Sequence, residues 1–269
     1  MGWKEDILRD VRALPGTAGV VVRDAAGGDT LAHNADRSFP SASLIKLAVL
    51  WELYAGASAG RVDPFEVLAY DRSRFVEGGL LHHVLGGATL RLDDLALLMV
   101  SVSDNTAANL LMDRLGMDRI NASMRALGLG RTVLGRRMLD FEAKKRGEDN
   151  FTSPGDVADL LSRMLAGPEL SPEWRARVFD ILSAQKLNSK LPAHIPYADV
   201  DDIEAFLAHK TAELPGCEHD AGVFFHRGNR PVVTVVMTEG IGHRAEGAAF
   251  CARIGKIVYD AFLPEQKTS

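Results

Sequence analysis

In the stretch FPSASLIKLAV (residues 39–49), Ser43 and Lys46 stand three apart on an almost wholly apolar segment. Residues at that spacing share one face of a helix, so the Lys46 amine can reach the Ser43 hydroxyl. A hydroxyl beside an amine is what a serine nucleophile with its own proton acceptor requires. The helix carrying the pair has no polar face and is expected to be buried, and burial disfavours the charged form of a lysine. Ser43 would sit in the first turn, where free N–H groups and the positive end of the helix dipole favour a developing anion. An ordinary reading fits the same residues: Ser41 or Ser43 caps the helix and Lys46 snorkels to water. The spacing also arises about once by chance in a chain this long, and Ser183 with Lys186 repeats it. The pair alone decides nothing.

Two further groups change that. Ser103-Asp104-Asn105 lies between the apolar helical segments LDDLALLMVSV and TAANLLMDRL, hence on a turn between helices. A capping turn would use the same residue types. As chemistry, Ser103 offers a hydroxyl for proton relay, Asn105 an amide for a substrate carbonyl, and Asp104 a buried acceptor. Lys210-Thr211-Ala212-Glu213 falls in a strand-like run. A strand beside a cleft can bind an extended substrate through its backbone. Lys210 would add a charge that holds an anionic group and disfavours protonation of Lys46. Its ordinary reading is a solvated lysine on an edge strand.

The elements that must position these residues follow from hydrophobic spacing. Trp3, Ile7, Leu8, Val11 and Leu14 form one face of an opening helix. The segments TAGVVVRD (17–24) and TLAH (30–33) read as a β-hairpin. From about Ser41 to Leu187 the pattern is helical, broken at Gly86-Gly87, Gly116 and Gly167-Pro168. Strand signals return at 205–212, 221–227 and 231–239, with a turn at Gly228-Asn229, and residues 243–262 close as a helix. The expected fold class is α/β of the α+β kind, an antiparallel sheet flanked by the N- and C-terminal helices with an all-helical lobe inserted. One domain is expected, its α/β lobe at about 1–38 and 200–269 and its helical lobe at about 39–199.

The chain of 269 residues is 46% hydrophobic and 25% charged, with net charge −5 and pI near 5.9. That composition suits a globular domain and leaves no electrostatic footprint for nucleic acid. The start, MGWKED, is charged where a signal peptide needs an apolar core. Asp6 breaks the myristoylation pattern that Gly2 would begin. No apolar run approaches the ~18 residues that would span a membrane. The expected location is cytoplasmic, or periplasmic or secreted if a leader has been removed. Cys217 and Cys251 are too few for a disulfide framework. Cys217, His219 and Asp220 lack the partner cluster a zinc site needs, and His82-His83 read as loop histidines at a helix end.

The three groups, in this order and at these spacings, resemble the serine β-lactamase and penicillin-binding protein superfamily, and most closely its class A β-lactamases. Thr106-Ala107-Ala108-Asn109 and Asp220-Ala221-Gly222-Val223 extend the similarity, which spans nearly the whole chain; Ser183 has no such companions. The resemblance implies a two-lobed fold and acyl transfer without metal or cofactor. It makes Ser43 the nucleophile, Lys46 and Ser103 its proton partners, and Asn105, Lys210, Thr211, Ala212 and Glu213 the substrate contacts. The N–H groups of Ser43 and Glu213 would form the oxyanion hole. The expected substrate is a small β-lactam or a related amide or ester, with no nucleic-acid or membrane partner.

Two departures stand out. Ala212 replaces the usual glycine, and the family's Glu-x-x-x-Asn pattern, whose glutamate activates the deacylating water, is missing from residues 135–154. Asp140 or Glu142 could take that role by a shifted register, or could pair with neighbouring Arg136, Arg137 or Lys145. A peptidase or esterase on the same fold, and a penicillin-recognising protein that acylates with little turnover, remain open alternatives.

Overall fold

The computed structural model describes residues 2–25, 27, 30–84, 87–196, 206–225 and 231–262. The chain opens with α1 (Trp3–Ala13), then β1 (Thr17–Asp24), β2 (Thr30–His33) and the short β3 (Phe39–Pro40). A 3₁₀ turn (Ala42–Ile45) runs straight into α2 (Lys46–Ser58). After β4 (Val67–Tyr70) and β5 (Ala88–Arg91) come α3 (Leu92–Ser101), α4 (Asn105–Leu115) and α5 (Met117–Ala126). Then follow the short α6 (Phe141–Lys145), β6 (Phe151–Thr152), α7 (Pro154–Ala166) and α8 (Pro172–Ser183). The chain returns as β7 (Leu207–Leu214), β8 (Cys217–Phe224) and β9 (Val232–Glu239), and ends in α9 (Arg244–Phe262).

The main sheet is antiparallel and five-stranded, in the order β2-β1-β9-β8-β7, so β7 is an edge strand. The β-branched run of β1 is paired on both sides, and its alternation decides what each face meets. Val20 and Val22 join Ile7, Phe250 and Ile254 in the apolar layer under α1 and α9, while Val21 joins the larger cluster of α2, α3, α4 and α7. α2 is buried almost all round, as its lack of a polar face requires. Gly116 ends α4 and opens α5 at φ 85°, a conformation that a side chain would make costly. No described helix is long and apolar enough to cross a membrane.

Three details differ from the sequence expectation. The stretch read as wholly helical holds two short antiparallel pairs, β3 with β6 and β4 with β5, each too brief to carry a periodic signal. β7 and β8 extend towards each other to Leu214 and Cys217, because the chain reverses at Pro215-Gly216 with Gly216 at φ 80°. Glu218, His219 and Asp220 are thus buried strand residues, which their polarity had hidden. The Gly228-Asn229 turn and the end of the 221–227 strand lie outside the described residues.

Candidate active site

Ser43 sits in the 3₁₀ turn at the mouth of α2, directly before the buried Lys46. The residue before it, Ala42, has φ 47°, the left-handed region that residues with a Cβ rarely adopt. A backbone bond from Ser41 N–H to Asn150 O (2.9 Å) ties this turn to the loop that precedes β6. Ser41 makes no side-chain cap, so the capping reading does not account for the serines here.

Lys46 Nζ lies 2.7 Å from Ser103 O, 2.8 Å from Asn105 Oδ1 and 3.1 Å from Ser103 Oγ. Ser103 Oγ is in turn 3.0 Å from Ser43 Oγ. Lys46 therefore meets Ser43 through Ser103 rather than by the direct contact that helical spacing suggested. As an ammonium it donates to all three oxygens. As a neutral amine it donates to the two carbonyl oxygens and keeps its lone pair for the Ser103 hydroxyl. Burial, and then the positive charge of Lys210, pull its pKa well below that of an ordinary lysine, with Asp104 acting the other way. That shift favours the neutral amine, the form that can accept a proton.

Asp104 is the scaffold of the second group. Its carboxylate caps α4 at Ala107 N–H (2.9 Å) and accepts from the N–H groups of Leu80 (2.6 Å) and Leu81 (2.8 Å). A Cβ on Gly79 would lie 2.3 Å from the Asp104 carboxylate, so the chain can press there only as glycine. The Asn105 amide gives one N–H to Glu77 O (2.9 Å) and retains another. Ser103 has φ 56°, so the hydroxyl between Lys46 and Ser43 too sits on left-handed backbone.

On β7, Lys210 is fully buried and donates to Thr211 O at 2.7 Å. Burial first, and the charge of Lys190 second, lower its pKa to about 7, opposed by Asp220 and Glu213. Thr211 and Ala212 are buried, and Ala212 packs in the large apolar cluster. Ser43, Asn105 and Glu213 line one pocket of about 300 Å³ together with Met138, Leu139 and Phe141 and the polar Arg136, Lys144, Asp149 and Asn150. Leu139, at φ 61°, is a third left-handed residue at this site.

The Beta-lactamase enzyme family model matches residues 3–262. The chain belongs to the β-lactamase enzyme family. Among its relatives, Beta-lactamase CARB-3 of Pseudomonas aeruginosa is 24% identical over 98% of this chain and 92% of its own. An ancestral class A β-lactamase is 26% identical with a TM-score of 0.86, covering 97% of this chain and 100% of that one. A mutant of PBP-A, solved as an acyl-enzyme complex with penicillin G, is 29% identical with a TM-score of 0.84, covering 97% and 96%.

Within this family member, the carboxylates expected in the 135–154 loop do not reach the pocket. Asp140 caps α6, accepting from Ala143 N–H at 2.9 Å. Glu142 is 74% exposed at the side chain and pairs with Lys145. Neither lines the cavity beside Ser43; Leu139 and Phe141, on either side of Asp140, do. The loop's carboxylate there is Asp149, which sequence reasoning missed. It accepts from Arg136 Nε (2.7 Å) and Asn150 N–H (2.9 Å) and pairs with Lys144. Burial pushes its pKa up, but those donors more than offset it and hold the carboxyl below its usual range. Asp149 is thus a tie within the loop rather than a free base. Among the described residues no cluster of His, Cys, Asp and Glu is placed to hold a metal. His219 bridges strands instead, with Nε2 against Pro40 O (2.8 Å) and Nδ1 accepting from Thr238 N–H (3.1 Å).

Proposed function

We propose that the protein opens β-lactam rings by acylation of Ser43 and releases the product slowly. The observation that carries this is the unbroken chain from Ser43 Oγ through Ser103 Oγ to the buried Lys46 amine. In the reaction, the Ser43 proton passes to Ser103 Oγ as the Ser103 proton passes to neutral Lys46. Ser43 Oγ then bonds to the lactam carbonyl carbon. The N–H groups of Ser43 and Glu213 take the oxyanion. On collapse the ring C–N bond breaks, and the nitrogen recovers the proton from Lys46 by the same route. Thr211 and Lys210 hold the substrate carboxylate.

Slow release follows from the pocket wall. Met138, Leu139 and Phe141 line the pocket with Ser43, and the loop's carboxylate among its lining residues, Asp149, is committed to Arg136 and Lys144. A missing general base slows a proton-transfer step on the order of 10² to 10⁴. Intact-protein mass spectrometry after mixing with a penicillin should show a lasting adduct that Ser43→Ala abolishes and Ser183→Ala leaves unchanged. If no penicillin forms an adduct and all remain intact, the lactam reading fails, and ester or peptide substrates take its place.

A further inference from the structure

Behind β7, on the side away from the helical cluster, a third lysine is held where water cannot reach it. Lys190 is 1% exposed. Its Nζ donates to Ala212 O at 2.7 Å and to His219 O at 3.2 Å, and pairs with the buried Glu218 at 2.7 Å. The short segment that carries it is stapled to the β7–β8 hairpin on both sides. Asn188 Oδ1 is 3.1 Å from His209 Nε2, and Leu191 N–H donates to Asp220 at 3.0 Å. Against its other side packs α9, where a Cβ on Gly255 would lie 2.0 Å from Leu191 O. Lys190 therefore has little freedom to leave.

What it grips is one half of a peptide unit whose other half is the Glu213 N–H. Ala212 and His219 are register partners across β7 and β8, so a point within reach of both carbonyl oxygens lies on the β8 side of β7. In a trans peptide C=O and N–H point oppositely. The Glu213 N–H accordingly faces the open edge of β7, the edge beside the pocket that Glu213 and Ser43 share. A charged donor on the carbonyl also polarises the peptide and strengthens its N–H as a donor.

We propose that Lys190 is a positioning residue that fixes and polarises the Ala212–Glu213 peptide from the far side of the sheet; its consequence for rate rests on the acyl-transfer reading above. Glu218, itself paired with Arg244, anchors the lysine without touching the pocket wall that holds Ser43. The arrangement lets a buried cation assist an oxyanion while remaining out of reach of substrate.

The test uses Lys190→Met, the charge-balanced Lys190→Met/Glu218→Gln and Lys190→Arg in the full chain, with thermal unfolding to confirm that each folds. In the two methionine variants the Ala212 carbonyl-carbon and Glu213 amide-nitrogen resonances should move to lower chemical shift, and Lys190→Arg should restore them. Losing an oxyanion-hole donor outright slows reaction by ~10² to 10³. A donor that is kept but loosened should slow penicillin acylation about tenfold, in the maximal acylation rate of the pre-steady state rather than in substrate binding. The infrared band of the acyl-ester carbonyl should rise in frequency. Unchanged resonances in the folded double variant overturn the proposal, as does an unchanged acylation rate where the wild type forms the adduct. No adduct in the wild type sinks the acyl-transfer reading instead, and the two resonances still decide whether Lys190 holds the peptide.

Discussion

Ser103→Ala is the sharpest perturbation of the relay. It deletes the one oxygen that lies 3.1 Å from Lys46 Nζ and 3.0 Å from Ser43 Oγ. Lys46 keeps its bonds to Ser103 O and Asn105 Oδ1, so the amine stays in place and only the route to the nucleophile is cut. A positioned proton-transfer group contributes about 10² to 10⁴ in rate, or ~3 to 5 kcal/mol of barrier. The fold should lose far less, about 1 kcal/mol for a single hydrogen bond. Ser103→Gly supplies the control, since glycine tolerates the left-handed backbone at this position, worth ~1 kcal/mol to any residue with a Cβ. The glycine variant should therefore be at least as stable as the alanine variant, yet equally slow. Stopped-flow acylation with a chromogenic lactam and urea unfolding measure the two quantities separately. Acylation by Ser103→Ala within about threefold of wild type would refute the relay and require a direct Lys46–Ser43 transfer.

Ala212→Gly should leave kcat/KM for bulky lactams within about twofold, because the methyl packs in the apolar cluster; the loss should appear as about 1 kcal/mol in an unfolding midpoint. A clear gain in kcat/KM would show that the methyl crowds the substrate. Leu139→Glu sets a carboxylate in the wall beside Ser43 and should shorten the life of the acyl adduct by at least tenfold in time-resolved mass spectrometry; an unchanged lifetime would mean that the loop does not present this position to the deacylating water. Lys210 binds a proton with a pKa of about 7 when folded and near 10.4 when unfolded, so between these values the unfolded chain holds more protons. Stability supplied by this group is complete above the upper value and is lost as pH falls towards 7. Relative to Lys210→Met, wild-type stability should thus rise from pH 7 to 9 by up to about 1.4 kcal/mol per unit, and parallel curves for the two proteins would contradict the burial argument.

The residues legible in the sequence were those carried by short contiguous motifs, although their partners lie 57 to 60 positions away. Ser43 and Lys46, and the Ser103-Asp104-Asn105 turn, are short contiguous signals, and α2 announced its burial by having no polar face. The wall at Met138–Phe141 was not legible, because a loop has no period from which to read which side chain turns inward. Asp140 and Glu142 were plausible by charge, and the outcome was set by a helix cap and a solvated ion pair that only the backbone path of α6 determines. Lys190 was invisible for another reason. Its partners stand 22 and 29 residues further along, and no local pattern separates a lysine that will be buried from one that will not.

The site is assembled from groups that ordinary folding would avoid. Lys46, Lys190 and Lys210 are among the largest fully buried side chains, and two of them lower the tendency of a neighbour to hold a proton: Lys210 acts on Lys46, and Lys190 on Lys210. Of these only Lys190 has a close buried carboxylate partner, Glu218. Burial is the larger cause of both shifts, and the charge of Lys190 behind the strand adds to it at Lys210. Ala42, Ser103 and Leu139 add left-handed backbone at the same place, each costing on the order of 1 to 3 kcal/mol elsewhere in the fold. Strain and buried charge of this kind persist only where the surrounding core enforces them. Here that core is α2 and the Ser103-Asp104-Asn105 turn on one side and the β7–β8 hairpin on the other, the elements that meet at Ser43.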